Sequence, residues 1–185
     1  MKNEKWVISA TVRDGYQVLL RAEARAELPT EYGRIALYYR TLGEKCIAWA
    51  TEVYGERLKK EFLALQTIRE RSSFGCGCYR FEAGSVWEAG EDLIAFVCES
   101  TLTGVREGPG KRFHRSAQVW SRKEELILPK EEVAELFSKE GKRLFAGKRI
   151  DGIYPRGNHL ILFSNPTETE PFTEWQTELC GVSSG

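Results

Sequence analysis

A chain of 185 residues with 42% hydrophobic and 29% charged residues has the make-up of one globular domain rather than a disordered or fibrous chain. Lysine plus arginine and aspartate plus glutamate both number 27, giving a net charge of zero, so no global field draws nucleic acid or anionic lipid. A domain of this size buries roughly 70% of the surface its unfolded chain exposes, enough for a core without covalent staples.

Lys5 to Arg13 alternates and meets Asp14-Gly15, the strongest short signal for a two-residue hairpin turn. Val18, Leu20, Ala22, Ala24, Ala26 and Leu28 then alternate with charged residues up to Pro29, a strand with one wet and one dry face. The small alanines predict a close approach by whatever covers them. Arg34 to Arg71 follows without proline, its apolar positions keeping one face of a 3.6-residue helix. Tyr38, Leu42, Trp49 and Val53 form the face expected to pack on a sheet. If continuous, the helix would be ~55 Å long, so Gly43 and Gly55 are expected sites of a bend.

Past the loop Ser72 to Gly77 come strands expected at Cys78 to Val86, Leu93 to Thr103 and Phe113 to Trp120. The near-continuous apolar run of the second predicts a mid-sheet position. Pro129 with Glu131 and Glu132 marks the start of a short helix, carrying Val133, Leu136 and Phe137. Ile150 to Tyr154 and His159 to Phe163 read as a last hairpin around Pro155-Arg156-Gly157-Asn158. The Thr/Glu-rich remainder reads as a loosely held tail anchored by Phe172 and Trp175. The fold expected is α+β: a long amphipathic helix packed on an antiparallel sheet, with a second short helix. It spans 1–175 as a single domain, with a loosely ordered tail at 176–185.

No run is long and apolar enough for a membrane span, and MKNEKWVIS lacks the apolar centre of a signal peptide. The five cysteines read as reduced thiols, so the chain is expected in the cytoplasm. Cys76-Gly77-Cys78 is the one cysteine pair of note. Its one-residue gap is shorter than metal or redox motifs use, and no second pair follows; no metal or cofactor is expected. A metal-binding or redox protein built on Cys76 and Cys78 is the alternative reading. A glycan-binding module, with Trp87, Trp120 and Trp175 exposed in a groove, is a third.

No nucleophile motif or paired carboxylates emerge, and a binding or sensing domain is expected rather than an enzyme. The expected partner surface is the charged loop Gly104 to Lys111 with the adjoining strand end KRFHR, because charged, glycine-bearing loops held by rigid strands tend to carry binding residues. Its residues are Arg106, Glu107, Lys111, Arg112, His114 and Arg115. A protein partner is expected, and neither nucleic acid nor a membrane span.

The segment IALYYRTLGEKCIAWATEVY, the strand pairs after it, SAQVWSRKEELILPKEEVAELF and GNHLILFSNPTE together resemble the extracytoplasmic domain of RsiV-like anti-sigma factors, also found beside some peptidoglycan deacetylase domains. The likeness covers about residues 15 to 172 and rests on a helix, a strand–turn–short-helix unit and a strand ending in Asn-Pro. It implies that family's fold and a non-enzymatic, interaction-type role. The family's glycine-rich segment with a histidine is matched here only by Gly104 to His114, and no membrane anchor or sigma-binding tail is visible. Anti-sigma activity and lysozyme binding are therefore not carried over.

Overall fold

A computed structural model describes residues 3–29, 31, 33–104 and 113–181. The chain is mostly β, 46% strand against 29% helix. A six-stranded sheet curls into half a barrel, in the order β1 (Asn3–Asp14), β2 (Gln17–Pro29), β3 (Gly77–Ala89), β4 (Leu93–Thr103), β5 (Phe113–Ser121) and β6 (Leu126–Ile127). A second sheet holds β7 (Gly152–Arg156), β8 (His159–Ser164) and β9 (Thr173–Glu178).

The expected long helix on an antiparallel sheet is thus overturned. The strands run longer than the alternation suggested, and β2 and β3 pair in parallel. The helical connection between them is the crossover that parallel neighbours require. It comprises α1 (Gly33–Trp49), a π-helical turn (Ala50–Gly55) and α2 (Glu56–Leu63), followed by α3 (Ile68–Ser72). The short helix α4 is Lys130–Phe137.

The buried side of the crossover also differs from the expected face. Ile35, Tyr39, Gly43, Ile47, Ala50, Tyr54, Leu58 and Phe62 are buried, whereas Trp49 and Val53 are each 47% exposed. Steps of almost four residues rotate the stripe by one position, and the widened π-turn keeps it in register. Gly43 and Gly55 do not break the helix; they let it descend onto β1. A Cβ on Gly43 would lie 2.5 Å from Cη2 of Trp6, and one on Gly55 2.7 Å from a methyl of Val12. Ala22, Ala24 and Ala26 of β2 give the close seat that their size predicted.

Three apolar clusters follow. The largest lies between the helices and the inner face of β1 to β5. The second joins the outer face of β4–β5, through Ala95 and Val119, to α4 and to Ile153, Leu160 and Leu162 of the small sheet. The third gathers Tyr154, Ile161 and Phe163 against Val97 and Ala117. Residues 173–178, part of the segment read as tail, add β9 to that sheet through pairing with β8. Among the described residues no helix is long and apolar enough to cross a membrane.

Candidate functional site

α1 sits down on β1 and β2, and its Tyr38 and Tyr39 reach Phe96 and Trp120 on the inner face of β4 and β5. Tyr39 is fully buried; its hydroxyl donates to Gln118 Oε1 (3.0 Å) and accepts from Trp120 Nε1 (2.8 Å). Tyr38 stands edge-on to Trp120 at 5.2 Å. Farther along, Trp49 stands edge-on to Tyr54 at 4.8 Å and to Tyr79 at 6.2 Å. The register of β4 with β5 sets Cys98 opposite Ser116 and Ser100 opposite His114, on one face of the sheet by strand alternation.

Beside α1, Arg34, Leu37, Tyr38, Thr41, Leu42 and Lys45 line an open groove of about 440 Å³. Tyr38 joins it to β5 through its edge-on contact with Trp120. On that face of β4 and β5, Ser100, Ser116 and Gln118 are half-buried, His114 is exposed and Cys98 is buried in the core. Leu37 is 64% exposed there.

The titratable groups of this region share one electrostatic condition. Burial pushes the Cys98 thiol up to about 12, tempered by a hydrogen bond with Ser116. It raises Cys46, which shares a hydrogen bond with Tyr79, and raises the phenols of Tyr38, Tyr39 and Tyr79. His114 is lowered by desolvation, against a smaller upward pull from Asp151. Each of these groups is therefore neutral at neutral pH. The arrangement offers hydroxyls, thiols, an amide and an imidazole as hydrogen-bonding groups.

Of the six expected partner-binding residues, Arg106, Glu107, Lys111 and Arg112 lie outside the described residues. His114 is exposed on the face it shares with Ser100. Arg115 points to the opposite face and is occupied, as neighbouring strand residues must be. Its guanidinium is paired with Glu99 at 2.8 Å and Glu174 at 2.6 Å and donates to the Tyr154 hydroxyl at 3.3 Å. It also lies over the Phe172 ring at 4.7 Å and the Phe163 ring at 5.4 Å. Desolvation opposes its charge, but Glu174, Tyr154 and Glu99 together raise its pKa.

The backbone of Arg115 is clamped as well. Asn165, 8% exposed, accepts from its N–H and donates to its carbonyl, both at 2.8 Å. The Asn-Pro pair noted in the sequence is thus a side-chain extension of the β5 ladder. Its own N–H donates to Asp151 at 2.6 Å, and Arg149 donates to its carbonyl at 2.6 Å.

Cys76 is exposed and Cys78 half-buried, and among the described residues no group of three His, Cys, Asp or Glu is placed to hold a metal ion. The tryptophans named for a glycan groove do not form one. Trp120 is core at 3% exposure, Trp87 packs edge-on to Phe137 at 5.4 Å, and Lys148 covers Trp175 at 5.1 Å. Of the residues that line the groove, Tyr38 and Leu42 were read only as packing positions, and Arg34, Leu37, Thr41 and Lys45 were missed.

This two-sheet fold defines the class of protein to which the chain is similar. A crystal structure of a DUF3298 family protein from Pseudomonas aeruginosa matches it with a TM-score of 0.57 and 10% identity, over 96% of this chain and 90% of that one. At that identity the likeness is one of fold. No protein-family model matches the sequence, and no curated protein matches it.

Proposed function

We propose that the chain is a non-catalytic binding or sensing domain whose protein partner enters the groove beside α1. The observation that carries this reading is the open groove beside α1, in which Leu37 stays 64% exposed between Arg34 and Lys45. A general base or nucleophile needs a pKa near the working pH, whereas burial drives the thiols and phenols here in the inert direction. Such a groove suits recognition, which rewards aromatic and apolar anchors such as Tyr38 and Leu37 flanked by polar groups. The resemblance to RsiV-like domains noted in the sequence favours the same interaction-type role.

The test places a photo-crosslinking residue at the exposed position 37 and identifies what it captures in cells. Affinity for the purified partner is then measured with Leu37→Asp and Trp49→Ala. Each substitution should weaken binding about tenfold, as for interface anchors, while circular dichroism shows that both variants stay folded. Unchanged affinity in both folded variants would move the site out of the groove.

A further inference from the structure

The edge of the six-stranded sheet farthest from the groove is incomplete in three independent ways. First, β1 is a 12-residue strand that pairs with β2 on one side and with no strand on the other among the described residues. Among the described residues its outer row of N–H and C=O groups meets no strand partner, the condition that invites strand addition. Second, the core is unfinished along it: Ile8, Ala10 and Val12 pack on the main cluster and stay only partly buried. Third, the outward side chains of the same strand are Lys5, Val7, Ser9, Thr11 and Arg13, all exposed. They bear a cation at each end and no carboxylate. Among the described residues Lys5 reaches only Glu27, at 3.7 Å, and neither Arg13 nor the adjacent Arg21 forms an ion pair.

We infer that β1 is a docking edge for an extended, acidic peptide segment that adds as a further strand. Backbone hydrogen bonds would supply affinity and alternate side chains selectivity, as in strand addition generally. One face of the added strand would carry apolar residues that finish burying Ile8, Ala10 and Val12. The other would carry carboxylates opposite Lys5 and Arg13, eight residues apart, with an apolar residue opposite Val7. A second copy of β1 is a poorer fit: a two-fold centred on Ser9 sets Lys5 against Arg13. This site lies beyond the proposed groove and does not depend on it.

The probe is a synthetic peptide alternating valine with threonine, in which two outward threonines eight residues apart are glutamate. Its control carries lysine in their place. Fluorescence anisotropy should detect binding of the glutamate peptide, weaker by about tenfold or more for the lysine control and for a Lys5→Glu/Arg13→Glu variant. Binding should also protect every second amide of β1 from hydrogen exchange. Both altered residues are exposed, and a melting curve verifies that the variant folds. Equal affinity for both peptides, or protection elsewhere, overturns the inference. So does a dimeric free chain whose β1 amides are protected before peptide is added, which would assign the edge to a second copy.

Discussion

Replacing Arg115 with methionine separates a structural clamp from a partner contact. The side chain is 11% exposed, while its partners Glu99 and Glu174 are 42% and 30% exposed. Removing one member of a fully buried pair costs ~3–5 kcal/mol, and an exposed pair is worth ~0–1 kcal/mol. Both carboxylates keep some water, so the loss of two ion pairs falls between these limits. Loss of the cation from the Phe172 face adds ~0.5–1 kcal/mol, and the methionine stem keeps most of the packing. The expected total is ~2–3 kcal/mol, or about 5–10 °C in melting temperature for a chain of this length. Urea unfolding at neutral pH measures it, and amide exchange locates it, with β7–β9 opening before β1–β3. Arg156→Met is the control, because that side chain is 48% exposed and reaches Glu174 at 3.3 Å. A loss below ~1 kcal/mol for Arg115→Met, within the range of surface substitutions, would refute the clamp.

Further expectations follow from the same contacts. Gly43→Ala gains ~1 kcal/mol of helix propensity but overpacks the Trp6 ring, at ~1–3 kcal/mol; thermal melting should show a net loss, and any stabilisation would mean that the helix can lift from β1. Trp49→Ala should cost less than the ~3–5 kcal/mol of a buried aromatic truncation, since the residue is 47% exposed. Desolvation pushes Glu174 up, yet Arg115 and Arg156 outweigh it and hold its folded pKa below the ordinary carboxylate value; its contribution is therefore complete above that value and lost as pH falls through the folded pKa. Stability against pH should drop in that acidic window, and drop less in Arg115→Met. Metal analysis of purified protein should find no stoichiometric zinc or iron, and about one equivalent lost in Cys76→Ser/Cys78→Ser would overturn this.

The periodic parts of the sequence were legible. The hairpin signalled by Asp14-Gly15 joins β1 to β2, with its two-residue loop one position later at Gly15-Tyr16 and Gly15 at φ +57, and the apolar run from Leu93 sits mid-sheet between β3 and β5. What periodicity could not convey was the partner of each strand. An antiparallel sheet was expected, and β2 pairs with β3 in parallel, because the pattern along a strand names its dry face and is silent on its neighbours. The crossover face was misassigned for a related reason. A 3.6-residue pattern points to Tyr38, Leu42, Trp49 and Val53; Tyr38 and Leu42 do pack on the core, but the buried stripe runs one position over, through Tyr39, Gly43, Ile47 and Ala50, where two small residues that look like weakness in a propensity count permit the close approach. Arg115 was chosen because KRFHR reads as an exposed basic end; strand alternation sends it and His114 to opposite faces. Its acidic partner Glu174 lies in the segment read as tail.

The two proposed surfaces have one physical origin. A six-stranded sheet has two faces and two edges, and this chain supplies one helical crossover and one small sheet to cover them. The crossover sits low on β1 and β2 because Gly43, Gly55 and the alanines of β2 permit it, and it reaches β5 only through Tyr38 and Tyr39, leaving Ser116 and Gln118 half-buried and His114 exposed. The small sheet is fixed to the outer face of β4–β5 by Arg115, Asn165 and the second apolar cluster, so it cannot reach β1. Each cover is held tightly at one end of the sheet and leaves the opposite end open, on the inner face at β5 and along the edge at β1. A wider cover would need larger residues at 43 and 55, which would lift the helix and expose the alanines beneath it. The close packing that stabilises the fold is thus what leaves the two proposed surfaces uncovered among the described residues.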